Sequence, residues 1–401
     1  MRMHSVAGAI LALSFCVALG IPTKGREEVT FNQDVAKIIY SKCTPCHSPG
    51  GPGPFSLITY ADVKRRYSLI RQVALTHAMP PTDAQSDLGK LAKQTQLNDE
   101  EGLILQQWGK DGLKEGDPET KPPDPVFTDT WKPGEADLLA APSESITVPA
   151  DGPAFRRLVT IDLDLDSSNR LASFDLRPSK PGVIRFVRIG LPTEDGKSPF
   201  KLTGVDSSRL IGTWAPGYFS WALPKGSAVT LEPKVKLFAE VLYQPTGKPE
   251  DGSFELALTF AGGETKAPMW YSLGKQDFEI PKSSFTELES DWTLPNDVEV
   301  ISLHPEAKLY ARQIRVMAYQ PGEPPKTLLL VFSYDPNWMG SYVFEKPVKL
   351  KKGTRLVGSM QYDNVEHAND RTRGKAPIRS GPGERDELFW IHVQYVQTGG
   401  S

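Results

Sequence analysis

The stretch Leu388-Phe389-Trp390-Ile391-His392-Val393-Gln394-Tyr395-Val396 predicts a β-strand that is half buried against an apolar core. It is rich in β-branched and aromatic residues, which favour the pleated surface of a sheet. Similar runs occupy residues 157–163, 182–189, 235–243 and 326–332, with turn-forming residues between them. Most of the chain after Ala136 is therefore expected to form antiparallel β-sandwiches.

The 401-residue chain is long enough for several domains with hydrophobic cores of their own. The strand-rich part is long for one sandwich and accommodates two, at residues 136–265 and 282–398, with a seam in the stretch 260–282. Residues 115–135 hold Pro118, Pro122, Pro123, Pro125 and Pro133. Such a composition predicts an extended linker rather than a helix.

Residues 27–114 carry helical patterns instead. Phe31, Val35 and Ile38 recur at helical spacing. Near the end of this region, Asn98 is followed by three acidic residues, which predicts a capped helix with negative charge near its positive dipole end. The first and last helices are expected to pack against each other, so this region predicts a small all-α domain.

The segment Cys43-Thr44-Pro45-Cys46-His47 has the C-x-x-C-H spacing of a covalent haem attachment site. Two thiols three residues apart each bond one vinyl-derived carbon of the haem, and the following histidine lies under the iron as a ligand. The rival interpretations are a redox dithiol and half of a zinc site. A zinc site needs about four ligands, and no second cysteine pair exists in the sequence. We therefore expect one haem c.

The sixth iron ligand is expected from His77-Ala78-Met79-Pro80-Pro81. A thioether opposite a histidine raises the reduction potential and suits electron transfer. The segment resembles the distal-ligand loop of bacterial single-haem cytochromes, and that resemblance favours Met79 over His77. The alternatives are that Met79 fills a gap in a core and that His77 lies at the surface near a helix end.

The first residues predict export. Arg2 precedes the uncharged apolar run from Val6 to Leu19, and small residues around Gly20 suit a cleavage site. A retained membrane anchor is the competing interpretation, but the run is shorter than the ~18 apolar residues that a spanning helix needs. Cys16 would suggest a lipoprotein, although Phe15 does not fit that motif. We expect residues 1–20 to be a cleaved signal peptide, with no membrane span in the mature, periplasmic or otherwise exported chain.

The net charge and the cysteine content limit the kinds of binding partner that we expect for this chain. The formal net charge of −3 gives no indication of nucleic-acid binding. Of the three cysteines, Cys16 leaves with the signal peptide, so the mature chain has no disulfide framework. The expected partners are therefore redox proteins of the periplasm.

The strand-rich part resembles the paired jelly-roll module of the copper type II, ascorbate-dependent monooxygenases, which include the peptidylglycine and dopamine monooxygenases. The resemblance covers residues 131–395 and rests on short patterns in the order of that family. These patterns are Trp214-Ala215-Pro216-Gly217, Tyr243-Gln244-Pro245-Thr246-Gly247-Lys248, Lys352-Gly353-Thr354-Arg355-Leu356, Tyr362-Asp363-Asn364 and Asp386-Glu387-Leu388. Bacterial relatives of that family carry this module behind a haem domain.

The family's chemistry needs two copper sites with five histidines and one methionine. The positions where the resemblance places these ligands hold Arg185, Phe186, Leu242, Glu306, Lys308 and Leu388. Beyond residue 114 the only histidines are His304, His367 and His392. We interpret His392 as a sandwich histidine, His367 as a loop residue and His304 as a displaced ligand only if the register has slipped. The sequence thus argues against copper, and it offers no catalytic group in its place.

The resulting prediction is a multidomain protein, with a small all-α cytochrome c domain followed by all-β tandem jelly-roll sandwiches. The leading function is one-electron transfer by an exported c-type cytochrome, whose degenerate monooxygenase-like module serves for docking or scaffolding. Enzyme activity is doubtful on this interpretation. Two alternatives stay open, namely a copper monooxygenase fed by its own haem and a non-enzymatic haem sensor or surface binding protein.

Overall fold

The structure is a computed structural model. It describes residues 28–49, 51, 53–76, 78–79, 84–92, 97–125, 135–144, 146–180, 182–201, 204–216, 221–336, 340–367, 373–381, 383 and 385–398. The predicted signal peptide, the candidate ligand His77 and residues 126–134 of the predicted linker lie outside these ranges.

Helices lie mainly in the first quarter of the described chain. The α-helices are α1 (Ala36–Lys42), α2 (Tyr60–Arg65), α3 (Tyr67–Leu75) and α4 (Asp99–Lys110), and a π-helical turn at Phe31–Val35 precedes α1. Short 3-10 turns follow at Pro118–Thr120 and Ser207–Arg209. Asn98 caps α4 as the sequence predicts, because its side chain accepts from Glu101 N at 2.8 Å while the Glu101 carboxylate accepts from Asn98 N at 2.9 Å.

Strands make up most of the regular structure. The first group is β1 (Ala84–Gln85), β2 (Leu138–Ala140), β3 (Thr147–Val148), β4 (Phe155–Asp162), β5 (Asn169–Pro178), β6 (Ile184–Gly190), β7 (Phe200–Lys201), β8 (Gly204–Val205), β9 (Leu210–Trp214), β10 (Trp221–Ala222), β11 (Val229–Leu231), β12 (Lys236–Tyr243), β13 (Glu250–Asp251) and β14 (Phe254–Phe260). The second group is β15 (Met269–Gly274), β16 (Glu279–Ile280), β17 (Phe285–Thr293), β18 (Val298–Glu306), β19 (Ala311–Tyr319), β20 (Lys326–Val331), β21 (Tyr342–Leu350), β22 (Arg355–Asp363), β23 (Ile378–Arg379) and β24 (Trp390–Gln397). The five strands predicted from alternation appear as β4, β6, β12, β20 and β24.

These strands form two sandwiches, each built from two antiparallel sheets. In the first sandwich, the sheet β10-β5-β14-β2, to which β11 also pairs through β5, covers the sheet β4-β12-β6-β9. In the second, the sheet β1-β20-β19-β22-β17 covers the sheet β15-β24-β18-β21. Each strand order is jelly-roll-like. A separate buried apolar cluster fills each sandwich, so each has its own core.

The helices share a third apolar cluster centred on Trp108 and Phe31. Trp108 is fully buried in α4, and its ring lies 6.1 Å from that of Phe31 and 5.6 Å from that of Tyr67. Trp108 Nε1 donates to Lys114 O at 2.8 Å. The first and last helical elements therefore meet, as the sequence predicts.

The expected fold class, an all-α cytochrome c domain followed by tandem sandwiches, is wrong. The residues that the structure describes are mostly β, with 41% in strands and 14% in helices, and among them no distinct all-α unit stands apart from the sheets. β1 lies between α3 and α4 and pairs with β20, with Ala84 opposite Val331. Ala84 and Leu91 are buried in the core of the second sandwich. This segment extends the edge of a sheet instead of closing a helical domain, because it buries its apolar side chains against strands.

One outer sheet of each sandwich faces the other sandwich. β6, β9 and β12 of the first lie against β15, β18 and β21 of the second. Arg188 bonds Glu306 across this interface, and Ser207 Oγ lies 2.7 Å from Ser272 Oγ. The apolar side chains at the interface are Phe200, Leu210, Phe238 and Trp270. None of the helices in the described ranges has the length and apolar character that a membrane crossing requires.

Candidate haem-attachment site

The C-x-x-C-H segment forms a helical turn directly after α1. Cys43 N donates to Ile39 O at 2.9 Å, which continues the hydrogen bonding of the helix. Cys46 N and His47 N both donate to Cys43 O, at 3.2 and 2.8 Å. Residues three and four apart in such a turn share one side of the backbone. The two thiols and the imidazole are therefore presented together.

A hydrogen bond fixes the orientation of the His47 ring. Nδ1 lies 3.0 Å from Phe55 O, and since a carbonyl only accepts, Nδ1 carries the proton. Nε2 is then the unprotonated nitrogen with a free lone pair, and the structure records no hydrogen bond to it within the described chain. A metal-binding histidine is commonly held in this way, by a backbone carbonyl on its other nitrogen.

The loop that holds His47 requires glycine at two positions. A Cβ on Gly53 would lie 2.6 Å from His47 Nδ1, and one on Gly51 would lie 2.4 Å from Cys46 O. Gly53 N also donates to Cys46 O at 2.9 Å. The absence of side chains lets the loop pass close to the haem motif, so it supports the ring of His47 from one side.

An aromatic ring and a cation complete the surroundings of His47. The centres of the His47 and Phe55 rings lie 4.7 Å apart, and the Arg66 guanidinium lies 4.3 Å from the centre of the Phe55 ring. Arg66 is in turn 3.8 Å from Asp62 Oδ1. A positive charge thus lies one ring away from the candidate iron ligand.

Burial controls the protonation of the motif. It raises the pKa of the Cys43 thiol to about 12 and that of the Cys46 thiol to about 11. The pKa of His47 is lowered, first by burial and then by Arg66, against the hydrogen bond to Phe55 O. The motif therefore presents two free, protonated thiols and a neutral imidazole at neutral pH. This donor set fits a covalently attached haem.

Met79 lies just beyond α3. Its backbone N–H donates to Val73 O at 3.3 Å, and its side chain is 42% exposed. The Met79 side chain is therefore accessible from outside the protein. The choice between Met79 and His77 as sixth ligand stays a prediction.

Most positions that the resemblance assigns to copper are engaged otherwise. Phe186 on β6 lies directly opposite Leu242 on β12, and the two pack together with Ala215. Lys308 Nζ donates to Gly381 O and Gly383 O at 2.8 and 2.9 Å. Leu388 O accepts from Tyr362 Oη at 2.8 Å. Apolar packing thus occupies the side chains of Phe186 and Leu242, and hydrogen bonds to backbone carbonyls occupy the Lys308 ammonium.

The histidines of the second sandwich are satisfied by hydrogen bonds. His304 and His392 are buried and directly opposite each other on β18 and β24. His304 bonds Ser302 and Ser341, and His392 bonds Ser272 at 2.8 Å. Burial and the neighbouring His392 lower the pKa of His304 to about 3, so its ring is neutral.

His367 lies on the surface, with Nε2 2.8 Å from Asp363 Oδ2. Across the residues that the structure describes, no three His, Cys, Asp or Glu side chains are grouped to hold a metal ion.

Sequence patterns did not reveal the neighbours of the haem motif. Nothing in the sequence marks Phe55 or Arg66 as a neighbour of His47. Their contacts with each other and with His47 exist only in the folded loop. One signal was present, since an aromatic residue eight positions after the histidine follows a glycine- and proline-rich loop.

Comparisons with known proteins add little to this picture. No protein-family model matches the chain, and no curated protein matches it in sequence. Among solved structures, the major capsid protein P2 of bacteriophage PM2 is 14% identical with a TM-score of 0.28, and the alignment covers 66% of this chain and 98% of that chain. PBCV-1 VP54, fitted into a reconstruction of the virophage Sputnik, is 7% identical with a TM-score of 0.24, covering 69% of this chain and 97% of that chain. These TM-scores are too low to support an argument about fold or function.

Proposed function

We propose that this chain is an exported c-type cytochrome that carries one haem, bound covalently through Cys43 and Cys46, and transfers one electron at a time. The observation that carries the proposal is the fixed ring of His47, whose Nδ1 bonds Phe55 O at 3.0 Å and whose Nε2 is left unprotonated. The two free thiols on the same turn support it. Its electron donors and acceptors would be redox proteins of the periplasm.

When bound, haem supplies a one-electron couple at its iron. The residues of this chain hold and tune that group. Cys43 and Cys46 would hold it covalently through their thiols, and His47 Nε2 would bind the iron from a ring whose orientation Phe55 O fixes. Met79 would supply the second ligand to the iron, with His77 as the alternative. Electron transfer needs little rearrangement when the ligands are fixed in advance by their own hydrogen bonds.

The two sandwiches would serve for docking or scaffolding. The residues at the expected copper positions are not a copper ligand set. A copper monooxygenase therefore lacks support from the described residues. The resemblance to the monooxygenase module concerns architecture, and architecture does not determine chemistry.

The experiment is to produce the protein together with a haem c maturation system and to separate it by denaturing electrophoresis. We expect a haem-stained band for the wild type, a pyridine haemochrome spectrum of the c type and one iron per chain. Cys43→Ser combined with Cys46→Ser is expected to abolish the stain, because no bond then survives denaturation.

The matched control is His47→Gly, which keeps both thiols and removes the iron ligand. We expect it to change the absorption spectrum of the native protein, while both thiols remain available for attachment. A haem stain that persists in the double cysteine variant would refute covalent attachment at this motif. About two copper ions per chain in the purified wild type would favour the monooxygenase alternative.

A further inference from the structure

A cavity of about 240 Å³ lies between the two sandwiches. The first sandwich lines it with β9, β10 and the residues that follow each strand, and the second lines it with the start of β21. Ala92, from the segment after β1, also contributes. Among the described lining residues, none stands at a position that the resemblance assigns to copper. A cavity of about 150 Å³ holds benzene, so this one has room for a two-ring molecule of about nine non-hydrogen atoms.

Aromatic rings form the walls of this cavity, and packing holds them in place. Trp214, Trp221 and Phe344 line it and are 6%, 5% and 4% exposed. The Trp221 ring stacks on Phe174 with 5.1 Å between the ring centres, and a Cβ on Gly212 would lie 2.4 Å from Trp221 Nε1. Because Gly212 has no side chain, the Trp221 ring lies directly on β9. The walls are therefore preformed, and they suit a planar aromatic ligand.

Two hydroxyl groups form the polar part of the lining. Thr213 of β9 and Ser341, directly before β21, both line the cavity, and their hydroxyl oxygens share a hydrogen bond between the two sandwiches. Ser341 Oγ also lies 2.6 Å from His304 Nδ1. At the other nitrogen of the ring, His304 Nε2 lies 2.9 Å from Ser302 Oγ, which donates its proton to Gln394 Oε1 at 2.9 Å. These groups form one continuous chain of hydrogen bonds.

The protons in this chain have a single direction. Because the Ser302 proton goes to Gln394, His304 Nε2 is the protonated ring nitrogen. The His304 ring is neutral, so its Nδ1 accepts the proton of Ser341. Ser341 Oγ in turn accepts from Thr213. Both hydroxyl protons at the cavity are thus engaged, and only oxygen lone pairs remain for a ligand. The ligand must therefore supply the hydrogen-bond donor.

The charges at the cavity favour a neutral ligand. Glu345 lines the cavity at an exposed position, and its carboxylate lies 2.8 Å from Lys90 Nζ. The described lining residues include no lysine or arginine, so an anion would lack a counter charge there. A cation would find only a carboxylate that already has a partner. Burying a charge without a partner of its own is costly, which leaves an uncharged molecule.

We propose that the cavity between the sandwiches binds a small, neutral, planar aromatic molecule with one hydrogen-bond donor, of the indole or phenol class. The ring of the ligand lies against Trp214, Trp221 and Phe344, and its donor points to the oxygens of Thr213 and Ser341. This site does not depend on haem attachment. It gives the sandwiches a binding role of their own, and its failure would leave the proposed electron transfer untouched.

The test is isothermal titration calorimetry of the full-length protein with two probes of nearly equal shape, indole and indene. Indole has an N–H donor, and indene has a CH₂ group in its place, so indole should bind more tightly. The double variant Thr213→Val, Ser341→Ala removes both acceptors. It should weaken indole binding by about 3- to 10-fold, because one hydrogen bond is lost, and leave indene binding within about twofold.

The matched control is the double variant Ser207→Ala, Ser272→Ala. These serines repeat the arrangement beside the other buried histidine, with Ser272 Oγ 2.7 Å from Ser207 Oγ and 2.8 Å from His392 Nδ1. Neither is among the described residues that line the cavity, so both probes should bind this variant within about twofold of the wild type. Ala222→Trp places a large side chain at an exposed lining position and should abolish the binding of both probes.

Three results would overturn the inference. The first is that neither probe binds at millimolar concentration. The second is binding that survives Ala222→Trp in a protein with a native far-ultraviolet circular dichroism spectrum, because the probes would then bind elsewhere. The third is equal weakening of indole binding by the two double variants, or equal affinity of the wild type for indole and indene, since the hydroxyl oxygens would then not select a donor.

Discussion

Arg188 Nη1 of the first sandwich lies 2.7 Å from Glu306 Oε1 of the second, and both side chains are buried. Arg188 Nε is also 2.8 Å from Glu240 Oε2 on the neighbouring strand β12. Burial alone raises the pKa of Glu306, but the charge of Arg188 and the hydrogen bond from His392 outweigh it, so the pKa lies below its ordinary value. This ion pair joins the sandwiches across an otherwise apolar and hydroxyl-lined interface.

Removing one partner of this pair should destabilise the protein strongly. Arg188→Ala leaves Glu306 as a buried charge without its cation, which typically costs 3–5 kcal/mol, here taken as about 4 kcal/mol. We expect a clear loss of stability in chemical denaturation monitored by tryptophan fluorescence. The double variant Arg188→Met, Glu306→Leu should be more stable than Arg188→Ala, because it removes both charges.

The control is Arg355→Ala, which breaks an exposed ion pair with Asp291 inside the second sandwich. Exposed pairs contribute little, since water and salt screen them. If Arg355→Ala and Arg188→Ala lowered the free energy of unfolding equally, the buried pair would contribute no more to stability than an exposed one.

The strands could be predicted from the sequence because their signal is local. The run at 235–243 appears as β12 (Lys236–Tyr243), and the run at 182–189 appears as β6 (Ile184–Gly190). Alternating apolar residues specify which face of a strand is buried, whatever its neighbours are. The C-x-x-C-H motif is equally local, since all its groups lie on one helical turn.

The parts that could not be predicted depend on distant neighbours. β1 has two residues and no periodicity, and it exists only because β20 offers an edge some 240 residues later. Arg188 interrupts an apolar run in the sequence, and its partner Glu306 is 118 residues away. The sequence predicts an all-α domain because the helices on both sides of β1 have recognisable helical patterns, whereas the two-residue strand between them has no pattern of its own.

The sixth iron ligand can be identified by comparing two substitutions in the haem-loaded protein. If Met79 binds the iron, Met79→Ala removes the weak long-wavelength absorption band that accompanies thioether ligation, and it lowers the reduction potential. His77→Ala should leave both unchanged. If His77 is the ligand, the wild type lacks this band, and His77→Ala, but not Met79→Ala, changes the spectrum and the potential. A wild type that lacks the band and that neither substitution changes would indicate an open position, as a haem sensor requires.

Arg66 should tune the reduction potential from the His47 side. Its guanidinium lies 4.3 Å from the centre of the Phe55 ring, which lies 4.7 Å from the His47 ring. Arg66→Gln removes a positive charge, so the oxidised iron becomes relatively more stable and the potential falls. We expect an effect of about 1 kcal/mol, or about fivefold in the equilibrium constant.

The control for Arg66 is Arg71→Gln on the exposed face of α3, which should change the potential less. Arg66→Lys keeps the charge and should restore most of the potential, although a lysine stacks less well on an aromatic ring. An Arg66→Lys protein that behaves like Arg66→Gln would show that stacking, and not charge, is what matters.

The pH dependence of stability should reveal the buried carboxyl group of Glu387. Its side chain accepts from the backbone N–H groups of Lys308, Tyr310 and Leu388 and is fully buried. Burial raises its pKa to about 7, against the lowering effect of these three hydrogen bonds and of the Lys308 ammonium. The buried tyrosines Tyr334 and Tyr362 also lie within its electrostatic range.

A raised pKa in the folded state means that the folded protein holds this proton more tightly than the unfolded chain. The resulting contribution to stability is complete below pH 4.5, falls as the pH rises and is lost above about pH 7. This contribution to the free energy of unfolding is on the order of 3 kcal/mol.

Glu387→Gln cannot titrate at this position. The stability of the wild type relative to Glu387→Gln should therefore decrease between pH 4.5 and about pH 7. Urea denaturation at both pH values measures that difference. A stability difference between wild type and Glu387→Gln that stays the same at both pH values would contradict the raised pKa of Glu387.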